Sequence, residues 1–206
     1  MAPAVPSPSK PALRQSTLDR SPFKSTSSDP SRARVEGAAK NNARSPRSKV
    51  APDRVQTDVI LAIKPVHLDH IISRRKNHEY RTYRLRDGVE RLWLYETRGD
   101  GKKKGSTAIT HIAMIPPDLR RTPGTVPEEP IGIGNADFNE GKKQSKYGYP
   151  ILELYQLVKP ITLGEMKTRW GMGSAPMGWC YVKAPMWQDR WGDDEEGRED
   201  KVIKVF

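Results

Sequence analysis

Residues 59–63 read Val-Ile-Leu-Ala-Ile and are stopped at once by Lys64 and Pro65, and this junction constrains the chain more than any other. The run is short and rich in β-branched residues, so it predicts a strand buried on both faces. Pro65 has a fixed φ and no backbone donor, which suits the first position of a helix. Leu68, Ile71 and Ile72 then recur at i, i+3 and i+4, the spacing of a short amphipathic helix. After the basic turn at residues 73–76 the chain becomes extended. In a strand, the period of two places Glu79, Arg81 and Tyr83 on one face, so a carboxylate and a guanidinium lie close together.

Downstream, Asp87-Gly88 sits between residues 80–86 and 89–95 and predicts a β-hairpin. Residues 91–96, carrying Leu92, Trp93, Leu94 and Tyr95, are expected to be a largely buried strand. Residues 98–106 are a Gly/Lys-rich loop, and residues 108–115 a fourth strand ended by Pro116-Pro117. Residues 116–149 form a long irregular region, the kind of loop that tends to be functional when it lies inside a compact domain. Another strand is expected at 151–158. Thr162 and Glu165 have the spacing of a capping box, which starts a helix that runs to Trp170 and ends at Gly171. Residues 179–182 and 202–206 read as closing strands around an acidic loop at 193–200. Six or seven strands with two short helices predict an α+β fold built on a mixed β-barrel.

The segment from Lys64 to Arg81 resembles the start of an ASCH domain, a branch of the PUA-like β-barrels. The family pattern is a strand, Lys-Pro, a short helix, and then G-x-K-x-x-E/T-x-R; the matching residues are Lys64, Pro65, Lys76, Glu79 and Arg81. Arg74 stands where the pattern has glycine, so the turn is made without a residue that enters φ > 0 freely. The resemblance extends more loosely over residues 57–206. It implies a PUA-like barrel with a cleft beside the first helix, lined by Lys64, Lys76, Glu79 and Arg81, that holds RNA or a modified nucleotide. Some relatives are amidohydrolases that deacetylate acetylated cytidine with a lysine, a threonine and a glutamate, and others are linked to RNA cleavage. Glu79 occupies the place of that threonine.

The N-terminal quarter has a different character. Of 15 aromatic residues only Phe23 precedes Val55, and residues 1–54 are crowded with Ser, Pro, Lys and Arg. Such a segment buries too little apolar surface to offset its ordering entropy, so residues 1–54 are expected to be a disordered tail and 55–206 the folded domain. The tail holds 11 Lys/Arg against 4 Asp/Glu, which is most of the chain's net charge of +11. A basic tail attracts polyanions through a salt-sensitive, non-specific term. Ser7, Ser21 and Ser45 each precede proline with a basic residue downstream, the pattern of a proline-directed kinase site; phosphorylation there would remove positive charge.

A single cysteine, Cys180, excludes an intramolecular disulfide. With no apolar run near 18 residues and no signal-peptide core, the expectation is an intracellular protein of nucleus or cytoplasm, monomeric and without a membrane segment. For metal, the inventory is His67, His70, His78, His111 and Cys180, without HExxH or CxxC, so neither a metal site nor a cofactor is expected.

Two kinds of chemistry remain. A lysine held against a carboxylate has its proton affinity set by burial and charge, so Lys76 can serve as base or nucleophile with Glu79 as acid/base partner. The plain alternative is an ion pair on a partly exposed strand. Aromatics interleaved with cations can hold an unstacked base, a pattern met by Tyr80, Arg81, Tyr83, Arg84 and Arg86, and again by Lys142, Lys143, Lys146 and Tyr147. The leading expectation is a binder of RNA or a modified nucleotide, with Lys64, Lys76, Glu79, Arg81, Tyr83 and Arg84 as contacts. A small hydrolase acting on a modified nucleoside or on RNA is the second, and a scaffold with a phosphoregulated tail the third.

Overall fold

The computed structural model describes residues 53–99, 101, 103–192 and 196–206. The expectations placed on the tail, including the kinase sites at Ser7, Ser21 and Ser45, lie outside the described residues.

The first strand, β1 (Arg54–Ile63), runs between two neighbours. On one side it pairs in parallel with β3 (Arg91–Glu96), in the register Val59↔Leu92 and Leu61↔Leu94; on the other it pairs antiparallel with β7 (Trp179–Lys183). A strand in that position has both faces covered, which is why its sequence is continuously apolar rather than alternating. Helix α1 (Pro65–Ile72) starts at Pro65 as the sequence requires, and buries Pro65, Leu68 and Ile71. Adding β4 (Ala108–Met114), β6 (Glu153–Thr162) and β8 (Val202–Lys204) completes a six-stranded mixed sheet in the order β7-β1-β3-β4-β6-β8. A second sheet pairs β2 (His78–Arg81) with β5 (Tyr147–Pro150).

The large sheet carries a core on each face. Leu61, Leu92, Leu94 and Tyr149 pack on the side of α1 and the small sheet. Ile60, Trp93, Ile109, Ile112 and Leu157 pack on the other side, under α3 (Leu163–Trp170) and α4 (Ala184–Arg190). The alternation along β3 divides the two, with Leu92 and Leu94 in one core and Trp93 and Tyr95 in the other. The fold is α+β with a mixed sheet. By hydrogen bonding, the sheet stays open at β7 and β8.

Three local expectations are corrected. The turn at Asp87-Gly88 forms, with Gly88 at φ 86, but it does not join a hairpin. β2 pairs with β5 instead, and β3 takes the parallel place beside β1, because Leu85 and Val89 on either side of the turn are fully buried and anchor it in the core. Among the described residues there are four short α-helices rather than two. The additional ones are α2 (Asn135–Asn139), a single turn inside the long irregular region, and α4, whose early Pro185 disguises a helix start as a strand end. Finally, the strand expected at 151–158 is β6, which begins at Glu153 and runs on to Thr162, and the end of the region expected to be irregular holds a further strand, β5. The capping box at Thr162 is half made. Its hydroxyl accepts from the Glu165 amide at 3.1 Å, while the Glu165 carboxylate turns to Arg169 and Arg190. α3 ends at Gly171, which is left-handed at φ 59. Among the described residues, no helix is long and apolar enough to cross a membrane.

One buried carboxylate ties β1 to β3. Asp58, with no exposed surface, accepts from Arg91 Nε at 2.7 Å, Arg91 Nη2 at 2.8 Å, Trp93 Nε1 at 2.8 Å and the Thr57 hydroxyl at 2.6 Å. Removing Asp58 leaves the buried Trp93 indole N–H without its acceptor and takes from Arg91 its closest counter-charge. Asp58→Ala is expected to cost about 3–5 kcal/mol, read as a lower urea midpoint. An unchanged midpoint would show that the carboxylate does not hold the two strands.

Candidate functional site

Helix α1 ends in a tight turn that delivers Lys76 into the protein. The Ser73 and Arg74 amides bond to Asp69 O and Ile71 O, and the Lys76 amide to His70 O at 2.8 Å. Arg74 adopts φ 58, a left-handed conformation that glycine takes without strain and other residues rarely adopt. Its guanidinium lies over the Phe206 ring, 4.4 Å from the centroid. The cation–π contact helps offset the strain of an arginine at this position.

Immediately after the turn, β2 points Glu79 and Arg81 to one face, as the period of two requires. Glu79 is 4% exposed and lies between two cations: Lys76, whose ammonium donates to Oε2, and Arg81, whose Nη2 approaches Oε1 at 2.9 Å. Arg81 also donates to the Ala62 carbonyl at 2.7 Å, tying β2 to the end of β1. Lys76 itself is 6% exposed. Burial lowers its proton affinity, and Arg81 and Lys143 lower it further against the opposing pull of Glu79. For Glu79, burial would raise the pKa, but Lys76 and Arg81 outweigh it and hold the carboxyl below its ordinary value. Two cations thus share one carboxylate.

More positive charge gathers nearby. The Lys143 ammonium stands 4.9 Å from the centroid of the Tyr80 ring, and Lys76 stands 5.6 Å from the same ring. Tyr80 is fixed by donating to Asn135 Oδ1 at 2.7 Å. Partial burial holds the His67 imidazole on α1 toward its neutral form, and the charges of Lys76, His70 and Lys143 act in the same direction. Lys143 forms no ion pair with any described residue.

The other expected contacts are placed differently. Lys64 is exposed at the start of α1. Tyr83 lies past the end of β2, half-buried against the core on the α1 side, with its phenol pushed up by burial. Arg84 is exposed and paired with Asp87 at 2.7 Å, and no hydrogen bond links it to Glu79 or Lys76. Lys142 is paired with Glu140, and Tyr147 sits opposite Arg81 in the small sheet. Cys180 is half-buried, its thiol pushed up by burial. Among the described residues, no group of three or more His, Cys, Asp or Glu is placed to hold a metal ion.

A cavity of about 360 Å³ opens on the far side of the turn, lined by Arg74, Lys76, Asn77, Ile131, Leu152 and Phe206 among others. Lys76 is the member it shares with the buried cluster. Apart from Lys76, the sequence reading missed these residues, which come from the α1–β2 turn, the irregular region, the β5–β6 link and the far end of the chain. The one signal that pointed here was the arginine in place of glycine.

No family model matches the sequence, nor does any curated protein. Among solved structures, the fold is similar to that of an ASCH protein from Zymomonas mobilis, with a TM-score of 0.44 and 13% identity, covering 65% of this chain and 93% of that one. Two point mutants of the Zymomonas mobilis protein match likewise. One has a TM-score of 0.46 at 15% identity, covering 68% and 96% of the two chains, and the other 0.43 at 13%, covering 65% and 95%. These are domains of the family that the segment from Lys64 to Arg81 resembles.

Glu79→Gln leaves the buried Lys76 and the partly buried Arg81 without a counter-charge, and is expected to cost about 3–5 kcal/mol at neutral pH. Because the folded pKa of Glu79 lies below its ordinary 4.5, its contribution is full above that value and is lost as pH falls through the folded pKa. Lys76 contributes with the opposite sign but the same pH slope: with a folded pKa below 10.5, its ionised form destabilises the fold, and that penalty fades as pH rises toward 10.5. Urea midpoints followed against pH should show the acid limb in the native protein and a shallower one in Glu79→Gln. Parallel limbs would contradict the arrangement.

Proposed function

We propose that the protein binds single-stranded RNA or a modified nucleotide at the surface around Lys76. The observation that carries this reading is the excess of positive charge in and around the buried cluster. Lys76 and Arg81 share the single carboxylate of Glu79, while Lys143 stands close by over the Tyr80 ring. In a partly desolvated site such an excess favours an anion more strongly than the same charges would in water. Phosphate meets that demand, and the resemblance of the Lys64 to Arg81 segment to ASCH domains supports the same class of ligand. The basic residues that precede Asp53 add a salt-sensitive attraction for any polyanion.

A second reading rests on the amine itself. Burial biases Lys76 toward its neutral form while Glu79 stays ionised beside it, which are the conditions for a base or nucleophile paired with a proton acceptor. In that reading the protein is a small hydrolase acting on a modified nucleoside or on RNA.

Equilibrium binding of the full chain and of a chain lacking residues 1–52 to a short single-stranded RNA, across a salt series, tests the first reading. Lys76→Ala is expected to weaken binding about tenfold in both chains and to reduce the salt slope by about one. Binding that disappears with residues 1–52 and ignores Lys76→Ala would overturn it. Turnover of RNA or of modified nucleosides, lost in both Lys76→Ala and Glu79→Gln, would establish the second.

A further inference from the structure

The cavity beside Lys76 has the wrong surface for phosphate alone. Its walls include Ile131 and Leu152, which are 80% and 58% exposed, and the Phe206 ring. Large apolar side chains left open to water around a concavity mark a place that something covers. Cations stand at the same cavity, Lys76 from the buried cluster and Arg74 on the turn.

Arg74 is the informative residue. It occupies a left-handed position, φ 58, where a side chain is strained and glycine is not. Its guanidinium lies over the Phe206 ring, 4.4 Å from the centroid. The two groups together make a polarised, flat-faced wall, the kind of surface on which an unstacked base rests. The opposite boundary is set by the loop that carries Ile131, and that loop is locked to the turn. The Asn77 side-chain amide donates to Pro130 O at 2.8 Å, and Gly132 packs so closely that a Cβ there would lie 2.1 Å from Asn77 Oδ1. The walls are therefore formed before any ligand arrives, which reduces the ordering cost of binding.

We propose that this cavity receives one unstacked nucleobase of a bound single-stranded RNA, held against the Arg74–Phe206 wall with Ile131 and Leu152 as its apolar lips, and that Arg74 determines this base contact. The inference rests on the RNA-binding reading above and adds where the base goes and which residue of this chain selects for it. Arg74 is the residue that makes the contact to the base. The phosphates remain the business of Lys76 and its neighbours.

The test compares two six-nucleotide RNA backbones, one abasic throughout and one carrying a single base, against the full-length protein and its Arg74→Gly and Lys76→Ala variants. Glycine accepts φ 58, so Arg74→Gly is expected to fold with an unchanged or higher melting temperature. In the native protein the single base should raise affinity about tenfold. In Arg74→Gly that gain should fall to less than about twofold, while binding of the abasic backbone weakens only by the loss of one cation. Equal affinity for the two backbones in the native protein, with Lys76→Ala still weakening both, would overturn the base site and leave the RNA-binding reading standing. A base-dependent gain that survives intact in Arg74→Gly would overturn the role of Arg74. No binding of either backbone at low salt would overturn both readings together.

Discussion

The arrangement of the candidate site depends on a single carboxylate. Glu79 is buried on β2 between the Lys76 ammonium and the Arg81 guanidinium, and each of those cations is tied to another part of the fold. Arg81 reaches the Ala62 carbonyl at the end of β1, and Lys76 is delivered by the turn that closes α1. Glu79 thus fixes the geometry of strand, turn and helix at one point. It also fixes the electrostatics, because one negative charge among several positive ones leaves the site short of an anion. A buried pair of equal charges would be weak grounds for a function, since replacing it with apolar residues is often neutral. The surplus cation is what distinguishes this cluster from an ordinary structural ion pair.

The fold supports the cluster through two separate cores. One fills the space between the large sheet, α1 and the small sheet; the other lies under α3 and α4. β3 serves both, and Asp58 holds it to β1 through Arg91 and Trp93. The α1–β2 turn is therefore carried by a helix that leaves directly from β1, a strand held on both sides by β3 and β7, although residues 73–75 of the turn reach the surface. That combination of rigid mounting and exposed tip is common where a protein keeps a binding site.

Local chemistry made much of this legible from the sequence. The apolar run, the proline after Lys64 and the spacing of Leu68 and Ile71 located β1 and α1, and the period of two placed Glu79 beside Arg81. Pairing between distant strands was not legible. Asp87-Gly88 does make a turn, but whether its flanks pair with each other is decided by the buried Leu85 and Val89 and by the open side of β1, and none of these is a local signal. The same limit hid the cavity. Its walls come from four stretches of the chain, and only Arg74, by standing in a glycine position, hinted at it. Tyr83 lies past the end of β2, although its phenol still feels the charges of Arg81 and Glu79, and Arg84 turns to Asp87.

Anion binding at this site requires Lys76 to be an amine that burial and neighbouring cations have made less basic, and whose basicity an anionic ligand restores. The most direct measurement is the Lys76 pKa, followed by NMR of the labelled side chain with and without a short single-stranded RNA. A value below the ordinary 10.5 is expected in the free protein, with a rise when RNA binds. A value at or above 10.5 that RNA leaves unmoved would mean that Glu79 fully neutralises the lysine, and that the cluster is structural.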